Sequence, residues 1–324
     1  MNKVTIATAL TLILAGCGSD APPAAPAAPA APTAAAAPAA AAKPAADQPA
    51  QPPPPVSADQ MLGQKIDQVL AGDWRSDKNK ARDQYRHPKQ TLEFFGVKAG
   101  TTLIELTPGG GWYAEILAPL FKGSGNYIAA IVTPKKKEGE DAQDMDALSK
   151  KFAGDPARYG EAKVEQFDLK APNLGAPGSA DMVVTFRNVH NWVMADAAPG
   201  MFKACFDVLK PGGVLGVTDH RAAPGADLEK IKKSGYLPED FVIKLATDAG
   251  FKLDAKSEIN ANPKDTKDYP EGVWTLPPSL ALKEKDQEKY LAIGESDRMT
   301  LRFVKPAAGD EIQKAGNEAK TDSK

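Results

Sequence analysis

The chain has 324 residues, of which 40 are Lys or Arg and 42 are Asp or Glu, for a net charge of −2. This balance, without a basic stripe, argues against a nucleic-acid partner. Two cysteines are too few for a disulfide framework, and a chain of this length can bury a core without one.

The N-terminus, residues 1–16, has the pattern of a secretory signal. Lys3 supplies a small positive region, and the short apolar stretch Val4–Leu14 follows it. About 11 apolar residues are too few to span a bilayer as a mature helix, so the pattern predicts a signal peptide. Its close, Leu14-Ala15-Gly16-Cys17, resembles the lipobox of bacterial lipoproteins. That resemblance implies a lipid on Cys17 and a periplasmic protein. The anchor would lie in the outer rather than the inner membrane, because the next residue is not Asp.

Composition divides the rest of the chain into three regions. Residues 17–57 are almost entirely Ala and Pro, which predicts a disordered tether. Residues 307–324 are polar and predict a disordered tail. Between them, residues 58–306 have the size of one domain, and we interpret residues 58–96 as its N-terminal helical lid. No pattern in the chain indicates an oligomeric state.

Strand-like and helix-like segments alternate through this domain, which predicts an α/β fold. The predicted strands are Thr101–Leu106, Asn126–Val132, Lys163–Phe167, Met182–Phe186, Val214–Thr218, Phe251–Ile259 and Met299–Val304. The predicted helices are Trp112–Phe121, Asp144–Phe152, Ala197–Leu209 and Pro238–Ala249. Unbroken apolar runs in the middle strands indicate burial on both faces. The sequence therefore predicts a doubly wound, mostly parallel sheet that ends in a closing pair of strands.

Polar residues follow the predicted strands, where ligands bind in such sheets. They lie in Glu105–Gly111, at Thr133, and in Phe167–Leu169, Arg187–Trp192 and Asp219–Arg221. In the first of these segments, three consecutive glycines join a strand to the start of a helix. Glycines allow a ligand close to the backbone, and the N–H groups and dipole at the start of a helix favour an anion.

With these segments in view, residues 81–306 resemble the class I S-adenosylmethionine-dependent methyltransferases. Glu105–Gly111 looks like their first motif, and Phe167–Leu169 with Asp181–Asn188 looks like the third and fourth. Val208–Leu215 resembles the helix stop and fifth strand of many of them. More narrowly, three segments look like a set of predicted bacterial methyltransferases: Arg82–Pro88, Gly109–Tyr113 and Arg187–Trp192. The resemblance implies a seven-stranded, Rossmann-like methyltransferase sheet with a C-terminal antiparallel hairpin.

The resemblance also implies a cofactor, S-adenosylmethionine, and a methyl acceptor, which we expect to be a small molecule. The cofactor residues would be Glu105, Thr107, Gly109, Gly110, Gly111, Trp112, Phe167, Asp168, Leu169 and Arg187. Asn188 and His190 would lie near the sulfonium and the acceptor. Either His190 or His220 could remove the acceptor's proton, since an imidazole titrates near neutrality. Each of these histidines could instead be hydrogen-bonded to a loop carbonyl.

Other interpretations stay open at this point. Thr107 stands where the family has its first glycine, and the second strand ends at Thr133 without the acid that holds the ribose. These differences, with a periplasmic location, favour a catalytically inactive binding module of the same fold as the alternative. A metal variant of that module would use four residues, His87, His190, Asp219 and His220.

Two further alternatives concern the glycine turn and the lid. Gly109-x-Gly111-x-x-Ala114 also fits the loose dinucleotide-binding pattern, but the acid which that pattern requires about 20 residues later is missing. In the lid, Arg82, Asp83 and Arg86 could pair among themselves at helical spacing, or Arg86 could reach the carboxylate of the cofactor.

Overall fold

A computed structural model of the chain describes residues 57–133 and 147–307. The predicted signal peptide at 1–16, the tether except Ser57, and the tail beyond residue 307 lie outside the described residues. None of the helices within the described ranges combines the length and the apolar character that crossing a membrane requires.

Seven strands form one sheet: β1 (Thr102–Leu106), β2 (Asn126–Val132), β3 (Lys163–Phe167), β4 (Ala180–Phe186), β5 (Leu209–His220), β6 (Lys252–Ser257) and β7 (Arg298–Val304). Their order is β3-β2-β1-β4-β5-β7-β6. β7 runs antiparallel to β5 and β6, and the other neighbouring strands are parallel. This confirms the predicted doubly wound, mostly parallel, Rossmann-like seven-stranded sheet with a C-terminal antiparallel hairpin. Strand order reverses between β1 and β4, which places a ligand crevice at their carboxyl ends.

The described helices are α1 (Ala58–Leu70), α2 (Asp77–Lys80), α3 (Asp83–Arg86), α4 (Pro88–Phe95), α5 (Ala114–Phe121), α6 (Ala147–Gly154), α7 (Pro156–Tyr159), α8 (Val189–Met194), α9 (Ala198–Val208), α10 (Leu228–Ile231), α11 (Glu239–Asp248) and α12 (Gln287–Ile293). Single 3-10 turns lie at Lys232–Ser234 and Gly272–Thr275. Most of these helices lie in the connections between strands, as the crossovers of a parallel sheet require.

Both faces of the sheet are buried, because alternate residues of each central strand point to opposite sides. Ile104 of β1 belongs to one apolar cluster, together with Trp192 of α8 and Phe202 of α9. Leu103, its neighbour, belongs to the second cluster with Ile116 of α5. The sheet is thus the middle of three layers, and its strand ends are positioned by two cores.

The segment predicted as a lid is largely a structural layer. Ser57 and Gln60 form a capping box that begins α1, and Ile66 of this helix is fully buried. Phe95 at the end of α4 packs on β5 at Gly216, where a Cβ atom would lie 2.7 Å from the ring. These helices are therefore fixed against the sheet, and of this segment Asn79 of α2, Arg82 and Arg86 of α3 line the ligand crevice.

Two local predictions differ from the structure. No helix was predicted between β4 and Ala197, but Val189–Met194 form α8, whose buried Val189, Trp192 and Val193 have helical spacing. Lys210–Gly213 was predicted as a helix stop before the fifth strand, but β5 already begins at Leu209. The pairing continues there because Lys305, just beyond β7, exchanges backbone hydrogen bonds with this segment.

Candidate functional site

A cavity of about 340 Å³ opens at the carboxyl ends of β1 and β4, within the size range of small-molecule sites. Its walls come from the α2–α3 region, the turn after β1, the segment from the end of β4 into α8, and Trp274. Eight predicted site residues line it: Glu105, Thr107, Gly109, Gly110, Trp112, Arg187, Asn188 and His190. The other predicted residues, Gly111, Phe167, Asp168, Leu169 and His220, are not part of its lining.

The turn after β1 leaves its backbone open toward this cavity. A Cβ atom on Gly109 or Gly110 would meet no atom within 4 Å. On Gly111 the same atom would lie 2.9 Å from Leu148 Cδ1, so this glycine serves the packing of α6. Only the first two glycines therefore offer an open surface to a ligand.

Thr107 occupies the position of the family's first glycine and has a left-handed backbone, with φ of 50°. A side chain in this conformation costs on the order of 1 kcal/mol or more. Its hydroxyl oxygen is buried and has no hydrogen-bond partner among the residues that the structure describes. Thr107 therefore adds an unused polar group at the cavity wall rather than blocking the turn.

Glu105 is a buried carboxyl group at the end of β1, 2 % exposed. Tyr127, on the neighbouring strand β2, donates its hydroxyl hydrogen to Glu105 Oε2 at 2.6 Å. Burial raises the pKa of Glu105 to about 8, although the hydrogen bond from Tyr127 acts in the opposite direction. The group is thus mostly protonated at pH 7, and a ligand ammonium would favour its ionised form.

His190, in α8, is oriented by Asp219 near the end of β5. His190 Nδ1 lies 2.8 Å from Asp219 Oδ1, and Asp219 Oδ2 accepts the backbone N–H of His190 at 3.0 Å. Both residues are buried. With its Nδ1 hydrogen donated to the carboxylate, the imidazole keeps a lone pair on Nε2, which has no hydrogen-bond partner among the described residues. This is the arrangement of a general base held by an acid.

His220, unlike His190, has both ring nitrogens hydrogen-bonded within the protein. Arg187 donates its Nε–H to His220 Nε2 at 3.3 Å, and His220 Nδ1 lies 2.5 Å from Ser296 Oγ. A guanidinium can only donate, so Nε2 is the acceptor and Nδ1 carries the hydrogen. Burial, followed by the charge of Arg187, lowers the pKa of His220 well below its usual range. Both ring nitrogens are used, so of the two predicted bases the geometry favours His190.

Asn188, predicted to act near the acceptor, joins the ends of β1 and β4. Its Nδ2 donates to the backbone oxygen of Leu106 at 2.9 Å and also lies within 3.3 Å of the oxygens of Thr107 and Phe186. The side-chain amide hydrogens are therefore used by carbonyl groups of the protein. This geometry favours a positioning role for Asn188.

The segment predicted to hold adenine does not line the cavity. Phe167 is 4 % exposed and packs in the core, with Leu169 partly buried against the same cluster. Asp168 is exposed, and its Oδ1 accepts the backbone N–H of Lys170 at 2.8 Å. At the end of β2, Thr133 donates its hydroxyl hydrogen to the Phe167 carbonyl at 3.1 Å. The roles predicted for Phe167, Asp168 and Leu169 stay predictions.

Three of the four residues of the metal alternative do come together. Ligand atoms of His190, Asp219 and His220 lie within 4.8 Å of one another, whereas His87 is not in this group. Three of their four ring nitrogens are already hydrogen-bonded, to a carboxylate, a hydroxyl and the Arg187 guanidinium, and among the described residues only His190 Nε2 has no such partner. A cation held by more than this one nitrogen would have to displace these contacts beside a fixed positive charge, so the three residues together do not fit a metal.

The chain is similar to several solved structures at low sequence identity. No protein-family model and no curated protein matches the sequence. Similar solved structures include a SAM-dependent methyltransferase from Aquifex aeolicus, with 14 % identity and a TM-score of 0.47 over 75 % of this chain and 98 % of that one. The [4+2]-cyclase SpnF has 17 % identity and a TM-score of 0.48 over 78 % of this chain and 97 % of that one. The arsenic(III) S-adenosylmethionine methyltransferase CrArsM from Chlamydomonas reinhardtii has 16 % identity and a TM-score of 0.45 over 76 % of this chain and 74 % of that one. At such low identity the likeness concerns the fold alone.

Proposed function

We propose that this chain is an S-adenosylmethionine-dependent methyltransferase that acts on a small molecule. The observation that carries the proposal is one cavity at the reversal of strand order, shared by three features. They are the buried Glu105 carboxyl group, the open glycine turn, and the His190–Asp219 pair. Such a pair beside an open cavity is what proton removal requires.

The residues on the β1 side of the cavity fit the amino-acid end of the cofactor. When bound, S-adenosylmethionine supplies an electrophilic methyl group on a sulfonium. Glu105 would hold the ammonium, and the N–H groups at Gly109 and Gly110 would face the carboxylate. The unpartnered hydroxyl of Thr107 is a further hydrogen-bonding group at this end.

The residues on the β4 side fit the removal of a proton from the acceptor. His190 Nε2 would take that proton as the acceptor becomes nucleophilic. Asp219 stabilises the resulting imidazolium and fixes the ring, since its carboxylate receives both Nδ1–H and the backbone N–H of His190. Positioned proton transfer of this kind contributes roughly 10²–10⁴-fold to a rate.

A binding module without activity is the second candidate. It is favoured by the nucleoside side of the crevice, where β2 ends at Thr133 without an acid and Asp168 is hydrogen-bonded to its own loop.

We further propose that the chain acts in the periplasm, anchored to the outer membrane through a lipid on Cys17. The lipobox-like sequence Leu14–Cys17 supports this location.

Calorimetry of the purified full-length chain tests the proposed function. We expect the wild type to bind S-adenosylmethionine and S-adenosylhomocysteine, and Gly110→Ala to weaken both by tenfold or more, because its new methyl group enters the cavity. Gly154→Ala is the matched control, since a Cβ there also meets no atom within 4 Å but lies at the end of α6. A folded wild type that binds neither compound would reject the methyltransferase and leave the binding module.

A further inference from the structure

Four arginines gather around a single carboxylate beside the cavity. Glu295, which precedes β7, is 3 % exposed. Its Oε1 accepts Arg82 Nε–H at 2.6 Å, and its Oε2 lies 3.1 Å from Arg86 Nε and 3.2 Å from Arg298 Nη1. Burial raises the pKa of Glu295, but the charges of Arg298, Arg86, Arg82 and, least, Arg187 lower it to about 2, so Arg187 completes the group. We call Arg82, Arg86, Arg187 and Arg298 the arginine cluster.

Positive charge in this cluster exceeds the negative charge that it contacts. Arg75, a buried arginine nearby, shows the balanced case, because Asp83 receives two of its N–H groups at 2.7 and 2.6 Å. In the arginine cluster, by contrast, Glu295 is shared. Glu105 is the single acidic residue in the lining of the cavity, and it is mostly protonated at pH 7.

Three members of the cluster line the cavity, and each has N–H groups that donate no hydrogen bond within the part of the chain that the structure describes: Arg82, Arg86 and Arg187. Arg82 Nη2 is buried without a hydrogen-bond partner among the described residues. Across the described ranges, the terminal nitrogens of Arg86 and Arg187 also have no hydrogen-bond partner. Only the Nε of each arginine donates, to Glu295 from Arg86 and to His220 from Arg187. Arg86 is 6 % exposed. Burial and the neighbouring arginines lower the pKa of Arg86 to about 9 and that of Arg187 to about 10, so both remain cationic at pH 7.

Two members of the cluster, Arg187 and Arg298, lie on the acceptor side of the crevice, whereas the Arg86 guanidinium lies over the Trp112 ring, 4.6 Å from its centroid, next to the glycine turn. Arg187 follows β4, Arg298 begins β7, and His190 is held by Asp219 of β5. In the sheet, β4, β5 and β7 lie on one side of the reversal, whereas β1 with Glu105 and the glycine turn lies on the other. A group bound by Arg187 is therefore next to the proposed base rather than beside the turn that suits the cofactor.

We propose that the methyl acceptor carries an oxyanion, a carboxylate or a phosphate, which Arg82, Arg86 and Arg187 bind beside His190. Guanidinium groups suit this role because their paired N–H donors match two oxygens of such an anion. In a partly buried cavity the attraction is also stronger than in water. The assignment of this anion to the acceptor rests on the proposed function, whereas the anion site itself does not.

Calorimetric titration of the full-length chain with inorganic phosphate at low ionic strength tests this proposal, with and without saturating S-adenosylhomocysteine. We expect phosphate to bind in both conditions. Arg187→Gln, and separately the more exposed Arg82→Gln, should weaken phosphate binding by tenfold or more. Arg158→Gln is the control, since that arginine pairs with Asp155 on the surface. Each variant is first compared with the wild type by thermal unfolding, so that loss of the fold is recognised.

Three results would separate the possibilities. A folded wild type that does not bind millimolar phosphate overturns the anion site. Phosphate that S-adenosylhomocysteine displaces, with variants that lose affinity for both, assigns the arginines to the cofactor carboxylate and overturns the acceptor proposal. Phosphate binding that depends on Arg187, in a protein that ignores S-adenosylhomocysteine, supports the anion site and removes only its assignment to a methyltransferase.

Discussion

His190 Nδ1 lies 2.8 Å from Asp219 Oδ1, and this contact joins α8 to the neighbouring strand β5 in a buried environment. It distinguishes His190 from His220, whose two ring nitrogens are both used inside the protein. The two histidines lie close, with ring centroids 4.9 Å apart, yet only His190 lines the cavity. The chemistry proposed for this site depends on that difference.

Asp219→Asn should destabilise the fold by about 1–3 kcal/mol, because an amide cannot accept from every donor that the carboxylate now satisfies. Those donors are His190 Nδ1 and the backbone N–H groups of His190 and His220. Urea unfolding measures the loss, and nitrogen NMR should show His190 leaving its Nδ1–H form. Asp207→Asn is the control, because this half-exposed carboxylate pairs with Lys203 on the surface of α9. An Asp219→Asn protein with the control's stability and an unchanged tautomer would refute this role.

Glu105 should make stability fall as the pH rises. Its pKa is about 8 in the folded protein and about 4.5 when exposed, so the native state binds more protons between these values. The free energy of unfolding should therefore decrease by a few kcal/mol from pH 5 to pH 8 in the wild type. Glu105→Gln, which can still accept from Tyr127, should remove that decrease, and the exposed Glu93→Gln should keep it. Parallel pH profiles for wild type and Glu105→Gln would contradict the burial argument.

Removing the charge of Glu295 should lower the free energy of unfolding. Glu295→Gln leaves the arginine cluster without its carboxylate, and loss of one partner from a buried ion pair costs roughly 3–5 kcal/mol. The pKa of Glu295 is lowered to about 2, so its contribution is complete above pH 4.5 and is lost as the pH falls toward 2. Glu258→Gln, at an exposed partner of Arg221, should cost about 1 kcal/mol or less. Equal unfolding free energies for the two variants at pH 7 would show that the cluster tolerates its own repulsion.

Cys17→Ala should release the protein from the membrane. If the lipobox-like sequence directs lipidation, the wild type fractionates with outer membranes and the variant is recovered in the soluble fraction. Cys205→Ala is the control, because that cysteine is buried in the core and would not affect lipidation. Wild-type protein in the soluble fraction, with an unmodified Cys17 by mass spectrometry, would contradict the anchor.

Much of the fold could be predicted because its signals are local. Apolar runs bounded by turn residues gave β2 and β3 with the observed limits, and β1 to within one residue. The alternation of strands and helices gave the parallel sheet. The start of β5 could not be predicted, because Lys210–Gly213 has the composition of a turn. Its strand pairing depends on Lys305, which lies far away in the sequence.

The site, like the fold, could be predicted from the sequence only in part. Residues that follow β1 and β4 were expected at one edge of the sheet, and Glu105, Gly110 and His190 do line one cavity there. The arginine cluster was missed, since Arg86 and Glu295 are 209 residues apart and no sequence pattern joins them. The pairing of His190 with Asp219 was missed as well. Its signal was the adjacency of β4 and β5, which places the end of one strand beside the next.

The most direct measurement is a crystal structure of the full-length chain with S-adenosylhomocysteine. We predict that the ligand ammonium contacts Glu105, that its carboxylate faces the backbone at Gly109 and Gly110, and that its sulfur points toward the space beside His190. A ligand whose carboxylate lies on Arg86 and Arg187, or a crevice that S-adenosylhomocysteine does not enter at saturating concentration, would contradict the account.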